Sequence, residues 1–160
     1  MLAQINIARL RQPMGDPRVR EFTDALERVN ALAERSPGFI WRHIAGDGHL
    51  DGTELLGDPL IIINLSLWAS YQHLHMFTYR SRHGHFVRRR AEWFTTLPAP
   101  RIALWWVPAA HRPTPSEGLA RLEYLAAHGP GPRAFTVRHR FDADGAEEHS
   151  RRSGRRPTSR

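Results

Sequence analysis

Apolar and polar residues alternate along Leu2–Leu10, with Ala3, Ile5 and Ile7 on one side and Gln4, Asn6 and Ala8 on the other. That period of two predicts a strand with one strongly apolar face. After a loop at Pro13–Pro17 the period changes. Val19, Phe22, Leu26, Val29 and Leu32/Ala33 recur at helical spacing. Asp16 precedes them as an N-cap, with Pro17 first in the helix, and Ser36-Pro37-Gly38 stops it. Phe39–Ile44 reads as a second strand, followed by a turn at Gly46–His49 and a loop from Asp51 to Pro59. Leu60–Trp68 is the strongest strand signal in the chain. It sets Ile61, Ile63, Leu65 and Leu67 against Ile62, Asn64, Ser66 and Trp68.

The spacing predicts a long helical stretch from about Ser70 to Leu97, carrying Leu74, Phe77, Phe86, Arg90 and Trp93, with Gly84 a point where it can bend. Pro98 and Pro100 end it. Arg101–Val107 is a fourth strand. Thr114, Pro115 and Glu117 spell a capping box for a helix bearing Leu119, Leu122 and Leu125, ended by Gly129. Arg133–His139 is a fifth strand. The order is β-α-β-β-α-β followed by α-β. It predicts an α+β fold with a ferredoxin-like antiparallel sheet, helices on one face, and an extra C-terminal helix and strand.

If the aliphatic rows face the helices, the opposite face carries Gln4, Asn6, Ile62, Asn64, Ser66 and Trp68, joined by Trp41 with His43 and by Trp105 or Trp106. Large aromatics mixed with amides mark an interface or a ligand surface. The alternative is that the tryptophans only fill a dimer core.

Composition narrows the choices. The chain has 160 residues, 41% hydrophobic and 24% charged, which suits one soluble domain. It has no cysteine, which excludes disulfides, thiolate nucleophiles and thiolate metal sites. All 23 basic residues are arginine and the net charge is +7. There is no lysine for a Schiff base or a phosphate-binding loop. The arginines are scattered rather than striped, so no specific nucleic-acid role is expected. The domain is expected to span residues 1–141. Residues 142–160, rich in arginine and poor in apolar side chains, read as a disordered tail. No run is long enough to cross a membrane and no signal peptide opens the chain, so a cytoplasmic protein is expected.

Histidine is the one plausible general base among the ten present. On a continuous helix His83 shares a face with Phe86, Arg90 and Trp93. There it could take a proton or ligate iron; the plainer alternative is a buried, hydrogen-bonded histidine. His73-x-His75 and His83-x-His85 do not chelate on a helix, because residues two apart point about 200° away from each other. No dedicated metal site is expected. Serine-hydrolase, nucleotide-binding and paired-carboxylate signatures are missing.

Several stretches carry a resemblance: Leu2-Ala-Gln-Ile-Asn-Ile-Ala8, Ser36-Pro-Gly-Phe-Ile-Trp-Arg42, Asn64-Leu-Ser-Leu-Trp68, Phe77-Thr-Tyr-Arg-Ser-Arg-His83, Arg90-Ala-Glu-Trp-Phe94, Leu104-Trp-Trp-Val-Pro108 and Ala134-Phe-Thr136. Over residues 1–141 the chain resembles a bacterial family of unknown function within the dimeric α+β barrels, the superfamily of the antibiotic biosynthesis monooxygenases. The resemblance implies a homodimer whose sheets form a barrel, with a small-molecule cavity between sheet and helices. It implies that Asn6, Asn64 and Trp68 occupy substrate-binding positions, and that His83 matches the axial ligand of a haem-degrading branch.

Three readings follow. In the first, a cofactor-independent oxygenase or cyclase holds an aromatic or polyketide-like substrate among Trp41, Trp68 and Trp105. Asn6 and Asn64 stabilise its anion, His83 accepts the proton and Arg90 supports the charge. In the second, the protein binds haem through His83. In the third, it is a non-enzymatic dimeric binding or structural protein.

Overall fold

The computed structural model describes residues 1–44, 51–80, 89 and 91–148. Strand β1 (Leu2–Leu10) is central. It pairs antiparallel with β4 (Asp58–Trp68) on one side and β6 (Ile102–Trp106) on the other. Strand β2 (Phe39–Arg42) adds to the far side of β4. The long strands thus run β2-β4-β1-β6, as a ferredoxin-like sheet requires. The short β3 (Asp51–Gly52) pairs with β4 and leads into α2 (Thr53–Leu56). The short β5 (Phe94–Thr95) pairs with the end of β1.

The first helix follows its cap. Asp16 accepts a hydrogen bond from the Arg18 backbone N–H at 2.8 Å, and Pro17–Val19 forms one tight turn before α1 (Arg20–Glu34). The Arg18 side chain also donates to Asp16, which helps hold that carboxyl down at about 2. The helix α3 (Tyr71–His75) is capped by Ser70 and widens into a π-helical turn over Met76–Arg80. The helix expected to reach Leu97 does not. Helical residues 91–93 give way to Phe94–Thr95, which pair with Leu10 and Arg9. The unpaired edge of β1 competes successfully with the helical period there. Gly84 and Phe86 lie outside the described residues.

Both faces of the sheet are covered by helices, which corrects the expectation of one covered face. Leu2, Trp68 and Leu104 pack with Ala33 of α1 and Leu74 of α3. The aliphatic row Ala3, Ile5, Ile63, Leu65, Leu67, Ala103 and Trp105 packs instead against Leu122 and Leu125 of α4 (Pro115–His128). The extra helix therefore takes the face where the resemblance places a second copy's sheet. Glycine allows its close approach: a Cβ at Gly118 would stand 2.6 Å from Ile5 Cδ1.

Glu117 anchors the start of α4. Its backbone N–H donates to Thr114 Oγ1 at 3.2 Å, as a capping box requires. Its carboxylate does not return to Thr114. It accepts from Trp105 Nε1 at 3.1 Å and from Arg121 at 3.4 Å, and lies 2.7 Å from His111 Nε2. Burial pushes this carboxyl up, but the His111, Trp105 and Arg121 bonds outweigh it, so it sits below its ordinary range. A depressed folded-state value contributes stability above the unfolded-state value, and that contribution is lost as pH falls through the folded one. Glu117→Gln is therefore expected to lower stability by about 1–2 kcal/mol at neutral pH. Its deficit should shrink below about pH 4. Urea unfolding of both proteins at neutral and acid pH checks this.

The expected strand Arg133–His139 is reduced to one bridge. Phe135 exchanges two backbone hydrogen bonds with Leu104, at 2.8 and 2.9 Å. Thr136 Oγ1 then accepts from the N–H groups of Arg138 and His139 and turns the chain away. Strands β7 (Arg140–Phe141) and β8 (Glu147–Glu148) form a hairpin turned at Asp142. The hairpin thus carries the described structure past residue 141, the expected end of the domain, to Glu148. The remaining arginine-rich stretch, 149–160, lies outside the described residues.

Gly38 joins α1 to β2 with φ +75°, and a Cβ there would overlap the His73 ring. Gly38→Ala meets strained backbone and a steric block together, and should cost about 2 kcal/mol or more. A lowered melting temperature with unchanged secondary structure is the expected readout.

Candidate functional site

The face beneath α1 and α3 is mixed in chemistry. Cross-strand register places Leu2 opposite Trp68, Gln4 opposite Ser66, Asn6 opposite Asn64 and Ala8 opposite Ile62. On the other side of β1, Leu104 faces Gln4 and Ile102 faces Asn6. A polar ladder of four side chains thus climbs through an apolar sheet.

The two ends of this ladder differ in burial. At the closed end, Leu2, Trp68 and Leu104 are fully buried and Ser66 is buried with them. At the other end Asn6 and Ile62 are only partly covered, and Asn64 and Ile102 are exposed. Leu26 and Val29, on the inner line of α1 by spacing, are also only half-buried. Asparagine is unfavourable in strands because its side chain competes for backbone hydrogen bonds. Two of them face each other at the middle of the two longest strands. Among the described residues neither side chain has a hydrogen-bond partner.

The closed end is rigid. Trp68 meets Phe39 edge-on at 5.4 Å and stacks on Phe77 at 5.2 Å. Phe77 belongs to the π-helical turn of α3, a feature frequent at functional sites. Trp68 Nε1 donates to Ser66 Oγ at 3.1 Å, and the Ser66 hydroxyl donates to Gln4 Oε1 at 2.9 Å.

The sequence-derived set is divided by this geometry. Asn6 and Asn64 come together. Trp68 shares their face but is 1% exposed, so its ring is core and its N–H is already used. Trp41 stands on the opposite, aliphatic face. A bulge between Phe39 and Trp41 sets two β2 residues against one step of β4, so Trp41 pairs with Leu67 instead of Ser66. His43 follows it there, its N–H donating to the Leu65 carbonyl. Trp105 is opposite Ala3, on the aliphatic face, and buried; Trp106 is the tryptophan that joins Leu2. Trp41 and Trp105 therefore cannot share a ligand with Asn6 and Asn64. His83 and Arg90 lie outside the described residues. Gln4 and Ser66 stood on the right face by alternation alone. What sequence reading missed was their bond to each other, which becomes visible only with the β1–β4 register.

Among the described residues, no three His, Asp or Glu side chains gather as a metal site. No helix there is long and apolar enough to cross a membrane. The strands of the ladder face carry no histidine among the described residues.

The sequence matches a family described as Domain of unknown function (DUF3291) over residues 1–152. No curated protein matches it. Among solved structures, it is similar to SnoaB, a cofactor-independent oxygenase from Streptomyces nogalater. Identity is 14% and the TM-score 0.44, covering 68% of this chain and 94% of that one. It is also similar to NE2512, a protein of unknown function from Nitrosomonas europaea, at 15% identity and a TM-score of 0.48. That match covers 71% of this chain and 94% of the other.

Proposed function

The chain belongs to the DUF3291 family, and from the chemistry of its ladder face we propose that it binds a flat aromatic molecule carrying an acidic phenol or enol and activates it as an anion. The observation that carries this is the opposed pair Asn6 and Asn64, whose side chains have no hydrogen-bond partner among the described residues, on a partly open, otherwise apolar part of the sheet. Two amides supply N–H donors at one place, and the flanking Ile62 and Ile102 supply apolar walls for a ring. Donors held in place lower the cost of negative charge on the ligand oxygen as it develops. On the sequence argument, His83 is the proposed proton acceptor and Arg90 its proposed charge partner.

The anion formed is the common start of cyclisation and of cofactor-independent oxygenation. In oxygenation, dioxygen converts a ring methylene into a carbonyl, one oxygen entering the product and the other leaving as water. Oxygen uptake by the purified protein with an anthrone, in the presence of a chelator, tests this. One dioxygen consumed per anthrone, lost in His83→Ala, is the expected result. A sharp Soret band on adding hemin, itself lost in His83→Ala, would replace this reading with the haem one.

On the same reading the protein is a homodimer. The strip of aliphatic face left half-covered beside α4, including Trp41, His43 and Ile61, would then meet a second copy. Light scattering should give twice the 18.4 kDa chain mass.

A further inference from the structure

We infer that Gln4 is a third donor to the ligand of this face, and that Ser66 and Trp68 position it. The inference rests on the proposed ligand site and adds a rule for what the site accepts.

An indole N–H can only donate, so Ser66 Oγ accepts from Trp68 Nε1. The one hydroxyl hydrogen of Ser66 is then directed to Gln4 Oε1. The first two members of this chain are fixed. Trp68 is held between Phe39 and Phe77, and Ser66 is only 5% exposed. The carbonyl end of the Gln4 amide is therefore tied to the interior. Its NH2 group is the free end, without a partner among the described residues, on a side chain that is only half-buried.

A glutamine free to rotate offers a ligand either a donor or an acceptor. This one offers donors only. Its neighbour along the strand on the same face is Asn6, itself opposite Asn64. Gln4 thereby selects for a ligand atom that accepts hydrogen bonds, such as a phenolate, an enolate or a ring carbonyl. It selects against an ammonium or a hydroxyl that must donate. The relay explains why a serine hydroxyl and an indole N–H are buried together on a face that is otherwise apolar at that end.

Gln4→Glu tests the direction of the amide. Glu keeps the oxygen that accepts from Ser66 and exchanges the NH2 for an oxygen. The probe is emodin, a polycyclic phenol, with its fully methylated ether as control; binding is read by quenching of tryptophan fluorescence at pH 8 and pH 5. Wild type is expected to bind emodin and to bind the ether at least tenfold more weakly. Gln4→Glu should bind emodin at least tenfold more weakly than wild type at pH 8, and the ratio should shrink at pH 5, where the phenol is neutral and the new carboxyl begins to take up a proton. A purely structural role for Gln4 would not give that pH-dependent ratio. Ser66→Ala, which frees the amide to turn, should weaken binding about threefold.

Equal emodin affinity of Gln4→Glu and wild type at both pH values overturns the inference. Asn64→Leu, measured in parallel, separates the two levels. If it weakens emodin binding while Gln4→Glu does not, the site stands and Gln4's part in it falls. If wild type does not bind emodin, or Asn64→Leu binds it unchanged, the site itself falls and Gln4's role with it.

Discussion

Gly118→Leu is expected to destabilise the protein by about 3 kcal/mol, a drop of roughly 6–12 °C in melting temperature for a chain of this size. The cause is local. A Cβ at Gly118 already meets Ile5 Cδ1 at 2.6 Å, and Ile5 is fully buried at the centre of β1. Leucine adds three further carbons to a space that does not hold the first. The helix α4 must then lift from Ala103, Trp105 and Leu65, which it covers with Leu122 and Leu125. Gly118→Ala is the informative contrast. Alanine gains about 1 kcal/mol of helix propensity over glycine. The atom it meets most closely is the tip of a side chain. Its net effect should be small, and adding Ile5→Val, which removes that tip, should turn it stabilising. The paired residues are in contact, so the double substitution should depart from additivity. Because Trp105 lies under this helix and bonds to Glu117 at its start, its indole N–H resonance reports lifting.

The second large effect concerns binding. Replacing both Asn6 and Asn64 by leucine is expected to weaken an anionic or phenolic ligand about a hundredfold, and each single change about tenfold. Each removes a hydrogen bond worth about 1.4 kcal/mol to an oxygen carrying negative charge. The same double variant should be at least as stable as wild type, because leucine fits a partly buried strand better than asparagine does. Binding and stability are thus predicted to move in opposite directions, as at sites where a function is kept at a cost to the fold. Loss of binding together with loss of stability would mark the pair as structural. Isothermal titration with emodin and thermal unfolding of the same samples give both quantities.

Much of the fold was legible because local signals were strong. The alternation of β1 and β4, the Asp16-Pro17 start of α1 and the Thr114-Pro115 start of α4 all appear where their chemistry places them. What was not legible depended on pairing between distant segments. The strand Phe94–Thr95 exists because β1 has a free edge there, which the helical spacing of Trp93 and Leu97 does not reveal. The bulge in β2 moves Trp41 to the other side of the sheet, and no residue in Phe39–Arg42 announces it. The side chosen by α4 was also hidden. Its own apolar stripe shows that it packs, but which face receives it depends on the space that Gly118 opens above Ile5. At the candidate site, alternation alone brought Gln4, Asn6, Asn64, Ser66 and Trp68 to one face. It could not say that Trp68 is sealed into the core while Asn64 is exposed, since burial depends on where α1 and α3 rest.

On the proposed function, a small aromatic molecule binds at the open part of the ladder face. Side-chain amide resonances of uniformly 15N-labelled protein, followed through an emodin titration, test it most directly. Saturable shifts in the NH2 signals of Asn6, Asn64 and Gln4 are expected, with the Trp105 indole signal on the far face unmoved. Shifts confined to the Trp41 and His43 side of the sheet, or no saturable shift in any of the three amides, would contradict it.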